Sequence, residues 1–371
     1  MTDMDRASEV RAKLELVRGW LDAHHRQAVL FGSQANFAWI TAGGRSHISL
    51  GEAAGVASVL VAPDEAYLLT TNIELGRLFD EEADGLPLNG VDWPWHESVR
   101  PQNVVAELCD PSRSVSDLGI YGLPAAGPDL AEVRFTLLPP EIQRYRDLGR
   151  EAAEAVEEAC RATSTGDSEL NVAGRVAMEC QRRDILPMVD LVAADARIAR
   201  YRHPLPTGNR VERTLLVALT GRRHGLHASL TRMVSFGRPD DELAARHTAV
   251  GRVDARVILE SRPGSSLADV LRGGLDQYAI EGFPDQWRLH HQGGLTGYAG
   301  REVFATPSAQ HRVRANQVVA WNPSITRVKS EDTVLVTDGG PEVLTRTDRW
   351  PQRQVELPMG AVDRPSLGIF M

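Results

Sequence analysis

A proline pair at residues 139–140 is the feature that most constrains the fold of this 371-residue chain. An Ala- and Glu-rich run without further proline, EIQRYRDLGREAAEAVEEACRA, follows it. Proline breaks the element before it, but it is well tolerated in the first turn of a helix. The pair therefore predicts that a long helix begins here and that a domain boundary lies near residue 138. Two domains, 1–138 and 139–371, are also what the length favours.

The composition excludes several classes of function. With 42% hydrophobic and 25% charged residues the chain is typical of globular proteins, and its net charge of −9 without a basic block argues against nucleic-acid binding. The N-terminal residues are charged throughout, unlike a secretory signal, and no apolar run is long enough to span a membrane. Cys109, Cys160 and Cys180 lack CxxC spacing and are interpreted as reduced thiols. We therefore expect a cytoplasmic protein without nucleic-acid or membrane partners.

The two domains are predicted to differ in secondary structure. In the first, helices over 5–24 and 73–83 flank short apolar runs that are typical of strands, which predicts an α/β domain. In the second, residues 213–237 alternate like a β-hairpin with a glycine turn. Helical patterns and strand-rich segments surround this hairpin, so the second domain is predicted to be α+β with antiparallel pairing.

Four stretches of the second domain stand in a characteristic order: YRHPLPTGN, LLVALTGRRHGLHASLTRMVSFG, HHQGGLTGYAGRE and VVAWNPSITRVKSEDTVLVTDGGPEVLT. In the first domain, NFAWITAG begins at Asn36. The order of these motifs and their residue patterns resemble the creatinase / aminopeptidase P / methionine aminopeptidase family over about residues 10 to 350. The resemblance implies a creatinase-type N-terminal α/β domain followed by a catalytic domain with the pita-bread fold.

The resemblance also implies where metal ligands would stand. Peptidases of the family hold two divalent metals with two Asp, one His and two Glu, which bridge the ions and activate water. The matching positions here are Ala218, Ser229, Gly294, Asn322 and Glu331. Alanine and glycine have no side-chain donor, and serine and asparagine offer only neutral oxygens. We therefore expect a metal-free member that needs no cofactor.

Creatinase is a metal-free member of the family, and it hydrolyses a C–N bond with a histidine as acid and base. The resemblance places that histidine at His203 of YRHPLPTGN. Imidazole titrates near neutral pH, so it can accept a proton from water and return it to a leaving nitrogen. Two alternatives stay open: a substrate contact, as in the metal peptidases, and a plain surface-loop histidine.

Further candidates lie in the glycine-rich stretch and beyond it. Arg301 could bind a substrate carboxylate with its planar fork, or it could form a structural pair with Glu302. Glu302 and Glu331 are candidates for orienting water or a cationic nitrogen, although Glu331 could be a structural remnant. His291 is favoured over His290 as a second acid or base, because its equivalent in the family often faces the pocket. A histidine that caps the loop is the alternative.

Tyr298 and Trp321 are candidates for walls of the pocket or for core residues, and Asn322 is a candidate substrate contact. His224 and His227 have HxxH spacing, but on a strand they would point to opposite faces, which argues against a substitute metal site.

The resemblance also implies a homodimer. In creatinase-like dimers the first domain of one subunit reaches the pocket of the other, and an arginine there binds the substrate carboxylate. Arg45, with His47 nearby, could do the same here, or the two could belong to a solvated loop.

We therefore predict a metal-independent hydrolase that cleaves a C–N bond of a small polar substrate, such as an amide, guanidine or amidine. Cleavage of a C–C or C–O bond would use similar groups. Two rivals remain: a metallopeptidase that removes residues before proline, and a pseudo-peptidase that binds a peptide or metabolite without turnover.

Overall fold

The computed structural model describes residues 4–370, and it divides the chain into two compact units between Glu141 and Ile142. The helices of the first unit are α1 (Arg6–Ala23), α2 (Gln34–Ile40), the single turn α3 (Leu75–Arg77) and α4 (Arg100–Leu108). Its strands are β1 (Val29–Ser33), β2 (Ala54–Val61), β3 (Ala66–Thr71), β4 (Asn89–Trp93) and β5 (Val115–Ser116).

The first unit is built on one mixed sheet in the order β4-β3-β2-β1-β5. β1 pairs antiparallel with β2 and β2 with β3, while β3–β4 and β1–β5 are parallel. Its strands are rich in Val, Leu and Ala, and the inward side chains Leu30, Leu60 and Leu69 pack together in one core. The helix predicted over 73–83 is only partly present, because after α3 the chain makes a π-helical turn, Leu78–Glu82.

The second unit contains longer helices and most of the strands. Its helices are α5 (Pro139–Arg161), whose first residues precede the division, α6 (Glu169–Gln181), α7 (Ala196–Arg200), α8 (Asp241–Glu260) and α9 (Leu267–Ile280). Its strands are β6 (Leu186–Ala194), β7 (Thr214–Arg223), β8 (Leu226–Phe236), β9 (Gly293–Thr296), β10 (Val303–Phe304), β11 (Val318–Trp321), β12 (Ser324–Ile325), β13 (Val328–Lys329), β14 (Asp332–Thr337), β15 (Gly340–Val343), β16 (Gln352–Leu357), β17 (Gly360–Pro365) and β18 (Gly368–Phe370).

Two sheets of the second unit matter for function, with orders β18-β8-β7-β6 and β10-β9-β11-β14-β15. The predicted hairpin is confirmed as β7–β8, and its turn consists of His224 and Gly225. Both turn residues have positive φ, of 51° and 81°, as a two-residue hairpin turn requires. The two sheets meet where the backbone N–H of Thr231 donates to the carbonyl of Glu331 at 3.0 Å.

Helix α8 covers part of this unit's core. Asp240 caps its N-terminus by accepting from the Leu243 N–H at 2.7 Å. Leu243, Val250 and Val253 recur at helical spacing and pack with residues of β7 and β8. Burying each such side chain contributes about 1.5–3 kcal/mol, so the core fixes the strands that carry the site.

The predicted long helix is confirmed as α5, which begins at Pro139. Cys109, Cys160 and Cys180 are free and buried. Within residues 4–370, no helix is both long and apolar enough to cross a membrane.

Candidate active site

A cavity of about 260 Å³ in the second unit brings many of the predicted residues together. Its polar lining is contributed by His203, Thr220, His227, His291, Arg301, Asn322, Lys329 and Glu331. Its apolar lining comes from the strands β6 and β7, with Met188, Val189, Leu191, Ala218 and Leu219. The cavity therefore combines an apolar wall with a concentrated set of polar groups, as small-molecule sites do.

Three histidines cluster at this cavity. His203 follows α7, and His290 and His291 lie between a 3₁₀ turn, Gln286–Leu289, and β9. The Nε2 atoms of His203 and His290 are 2.9 Å apart, and the ring centroids of His290 and His291 are 4.5 Å apart. His203 and His291 each have one part of the ring exposed to solvent and the rest packed against the protein, whereas His290 is buried. The predicted residues His203 and His291 are thus accompanied by His290, the histidine that the sequence favours less than His291 as a second acid or base.

The backbone around the cluster is held by buried polar contacts. The amide of Gln292 donates to the carbonyl of His290 at 2.7 Å, and its oxygen accepts from the Tyr278 hydroxyl at 2.9 Å. On the other side, the guanidinium of Arg202 donates to Thr326 Oγ1 at 2.9 Å. Hydrogen bonds therefore fix the residues next to His203 and His291 and the carbonyl of His290, and such support keeps the geometry of a binding site.

The environment keeps the three imidazoles neutral at neutral pH. Burial, with the positive charge of Lys329, lowers the pKa of His290 to about 3 and shifts the pKa of His203 downward. Burial and then the nearby Arg301 lower the pKa of His291 to about 4. Neutral imidazoles carry a free lone pair, so they can accept a proton or bind a metal.

Glu331 is a buried residue of the cavity lining, and the positive charges of its neighbours balance its negative charge. The Lys329 ammonium donates to Glu331 Oε2 at 2.6 Å, the Thr231 hydroxyl donates to the same oxygen at 2.8 Å, and Arg301 Nη2 approaches Oε1 at 3.5 Å. Burial by itself would raise the pKa of Glu331, but Lys329 and Arg301 outweigh it and lower the pKa to about 2. The carboxylate therefore serves as the anion that holds two cations.

Lys329 is the site residue that our sequence reasoning missed. Two signals point to it: it stands two residues before Glu331, and it is one of only two lysines in the chain, the other being Lys13. Residues two apart in extended backbone share a face, so the spacing favours contact between Lys329 and Glu331.

The five positions that the resemblance assigns to metal ligands do not fit a carboxylate-bridged metal pair. The Ser229 hydroxyl forms a hydrogen bond with the Thr220 hydroxyl at 2.9 Å, and the Glu331 carboxylate already pairs with Lys329. Gly294 has φ of 147°, and a Cβ atom there would lie 2.1 Å from the carbonyl oxygen of Val303. No ligand side chain can therefore be added at Gly294 without moving the β10 backbone.

Other predicted residues are placed differently. Arg301 lines the cavity, and its Nη1 donates to the Gly300 carbonyl at 2.6 Å. Glu302 accepts from the Ala299 N–H at 3.0 Å and so stabilises the turn after β9. Tyr298 is buried, with 1% of its surface exposed, and it is not among the residues that line the cavity.

His227 and Trp321 complete the comparison in the second unit. His227 lies on β8, lines the cavity and has its pKa lowered to about 4 by burial. His224 lies in the hairpin turn beside Gly225 and not on the strand. Trp321 is a core residue whose indole N–H donates to Ser261 at 2.8 Å.

Arg45 and His47 lie in the first unit. The Arg45 side chain pairs with Glu82 through Nε at 3.0 Å, and its backbone N–H also donates to Glu82 at 2.9 Å. The Glu82 carboxylate thus holds Arg45 in place, while about half of the arginine side chain remains exposed (53%). Its assignment to a substrate site stays a prediction.

Comparison with known proteins identifies relatives. The model of metallopeptidase family M24 matches residues 143–338. An uncharacterized peptidase of Staphylococcus haemolyticus is 24% identical over 230 residues, which cover 59% of this chain. The chain spans 65% of the length of that relative.

Solved structures resemble the chain over nearly its whole length. The prolidase from Pyrococcus horikoshii OT3 superposes with a TM-score of 0.75 at 18% identity and covers 91% of this chain and 99% of its own. Dipeptidase PepE from Mycobacterium ulcerans gives a TM-score of 0.77 at 16% identity over 99% of both chains. These likenesses confirm the predicted two-domain architecture with a pita-bread domain.

Proposed function

The chain belongs to metallopeptidase family M24, and we propose that it is a hydrolase that cleaves a C–N bond of a small, anionic substrate by histidine acid/base catalysis. We further propose that it does so without the carboxylate-bridged metal pair of the family's peptidases. One observation carries the proposal: the 2.9 Å contact between His203 and His290, in a site that also holds Lys329 and Arg301.

His203 is the residue we propose as general base and then general acid. It is exposed at the cavity, and its neutral ring can take a proton from a water molecule as the water oxygen bonds to the substrate carbon. The same proton then passes to the leaving nitrogen as the C–N bond breaks. His290 and His291 orient His203 and are the second candidates for proton transfer. This help contributes about 10²–10⁴-fold to the rate.

The charge balance of the cavity supports an anionic substrate. Lys329 and Arg301 each carry a positive charge and Glu331 carries one negative charge, so the lining keeps a positive excess when the histidines are neutral. The ammonium of Lys329 has three hydrogen-bond donors and the guanidinium of Arg301 has five, and Glu331 accepts from only some of them. The remaining donors suit a substrate carboxylate or the oxyanion that forms during attack.

The size of the cavity points to a small substrate. Its volume of about 260 Å³ is below the range of about 300–1,000 Å³ that is usual for drug-sized ligands. Asn322 adds a polar contact at the wall. We keep the prediction of a cytoplasmic homodimer in which Arg45 and His47 contribute substrate contacts.

To test this proposal, the protein is treated with a chelator and then assayed for hydrolysis of amides, guanidines and amidines that carry a carboxylate. We expect turnover without added metal, and we expect His203→Ala to lower kcat/KM by about 10²–10⁴-fold. His96→Gln, at an exposed position of the first unit, is the control and leaves the rate unchanged. Turnover that requires added metal, or that survives in His203→Ala, contradicts the proposal.

The likeness to a prolidase and a dipeptidase favours a second candidate, a metal-dependent peptidase that acts on Xaa-Pro substrates. The same preparations are therefore assayed on Xaa-Pro dipeptides with and without Mn²⁺ or Co²⁺. A pseudo-peptidase would bind such peptides in a calorimeter without hydrolysing either substrate class.

A further inference from the structure

We propose that His203, His290 and His291 form a binding site for one late first-row divalent metal ion, with Zn²⁺ as the reference ion. The site is distinct from the five positions that the resemblance assigns to metal ligands. It does not depend on the proposed hydrolysis, because it concerns binding alone.

The geometry of the cluster suits a single ion. One ring nitrogen from each histidine lies within 4.8 Å of the other two. A tetrahedral zinc ion with Zn–N bonds of about 2.0–2.1 Å holds its ligand nitrogens roughly 3.3 Å apart. The Nε2 atoms of His203 and His290, 2.9 Å apart, lie just inside this spacing, and no separation within the cluster exceeds 4.8 Å. Small side-chain rotations therefore bring all three nitrogens to bonding distance.

The donor set selects the kind of ion. Three imidazoles and no thiolate suit Zn²⁺, Ni²⁺, Cu²⁺ or Co²⁺, whereas Mg²⁺ and Ca²⁺ require oxygen ligands. The nearby carboxylate of Glu331 is already bound to Lys329 and Arg301.

The surroundings supply outer-shell support and an open position. Asn322 Nδ2 lies 3.5 Å from His291 Nδ1, and Asn322 Oδ1 finds no hydrogen-bond partner in the described part of the chain. Rotation of this amide by half a turn places Oδ1 to accept from the Nδ1–H of His291, which leaves Nε2 free for a metal. Since His203 and His291 line the cavity, the fourth position faces it and can take water or a ligand atom.

Metal binding would compete with the proposed acid/base role, because the ion takes the lone pair of His203. Zn²⁺ is therefore expected to inhibit metal-free hydrolysis. If Zn²⁺ instead activates hydrolysis, the metal site stands and the metal-independent function is overturned, so the two proposals fail separately.

The test uses the full chain, stripped with a chelator and then dialysed. Isothermal titration with Zn²⁺ should give one equivalent per chain, and Co²⁺ should give the visible absorption of a four-coordinate site with nitrogen ligands. Replacing any of the three histidines by glutamine should weaken Zn²⁺ binding by more than the about 10–100-fold that loss of an outer-shell partner costs. His96→Gln should bind normally.

Two further variants keep the test decisive. Asn322→Ala should weaken Zn²⁺ binding by about 10–100-fold while one equivalent still binds at saturation. His203→Gln and His291→Gln change exposed side chains, so we expect both variants to fold. Circular dichroism checks that they do. Absence of stoichiometric binding overturns the proposal, and so does binding that Glu331→Gln abolishes while the histidine variants retain it.

Discussion

At the scale of single residues, the use of lysine is informative. The chain has many arginines but only two lysines, and both are buried and paired with glutamate. Lys13 contacts Glu9 at 2.7 Å and Glu141 at 2.9 Å, while Lys329 contacts Glu331 at 2.6 Å. A lysine ammonium is a compact charge that fits beside a buried carboxylate, where the larger guanidinium would need more space.

Lys329→Met is expected to destabilise the fold by about 3–5 kcal/mol, because it leaves the buried Glu331 carboxylate with only the more distant Arg301 as a cation. Urea unfolding measures the effect. The double variant Lys329→Met/Glu331→Gln should recover at least half of the loss. As a control, Arg146→Met breaks an exposed pair with Glu342 and should cost less than about 1 kcal/mol. Equal costs for the two single variants would contradict this account of Glu331.

Asp190 on β6 gives a pH prediction. Burial raises its pKa from 3.8 to about 7, and its Oδ1 has no hydrogen-bond partner among the described residues. Between these two pH values the folded protein holds a proton that the unfolded chain has released, so stability falls as pH rises through this window. The free energy of unfolding of Asp190→Asn should therefore exceed that of the native chain by about 1–2 kcal/mol at pH 8 and by little at pH 4.

Unfolding curves at several pH values test this expectation. The control is Glu356→Gln, which changes an exposed carboxyl group on β16. A gain of Asp190→Asn that does not vary with pH would show that Asp190 is ionised in the folded protein.

At the scale of elements, the glycine-rich stretch is explained by strand packing. β9 runs between β10 and β11, and Gly293 and Gly294 face the backbones of these neighbours. A Cβ atom at Gly293 would lie 2.1 Å from the carbonyl of Ala320. The glycines therefore allow two strands to approach on both sides, and this close approach places the histidines that precede β9.

Gly294→Ala is expected to destabilise the protein by more than about 2 kcal/mol, because the added Cβ collides with the Val303 carbonyl at a positive φ. Gly300→Ala is the matched control, since a Cβ atom added there would meet no atom within 4 Å and its φ is not in the left-handed region. Thermal unfolding of the two variants side by side measures the difference. Comparable stabilities would show that β9 and β10 do not pair as described.

At the scale of the whole molecule, the predicted homodimer is the open question. The first unit exposes large apolar side chains, among them Ile73 at 63%, Trp95 at 64% and Val99 at 66%. Sedimentation velocity should give a mass of about twice the 40.7 kDa of one chain. A concentration-independent monomer would contradict the dimer and, with it, the proposed contribution of Arg45 from a partner.

The sequence by itself determined the local structure and the family. Periodicity, the Pro139-Pro140 pair and the glycine turn of the hairpin are local signals, and α1, α5 and the β7–β8 hairpin form where they predict. The order of motifs was sufficient for the pita-bread fold, because motif order reflects the order of elements. His203, His291 and Glu331, which the sequence singles out as catalytic candidates, line one cavity, and their catalytic roles stay predictions.

Only the tertiary structure decided which of these groups meet. His203 and His290 are 87 positions apart and touch because the segment after α7 packs against the segment before β9. The sequence leaves Glu331 as either a group that orients water or a cationic nitrogen or a structural remnant, and only the fold shows that Lys329, Arg301 and Thr231 surround its carboxylate. Local patterns report the faces of helices and strands, whereas charge pairing and a histidine cluster depend on distances between segments that the chain order does not fix.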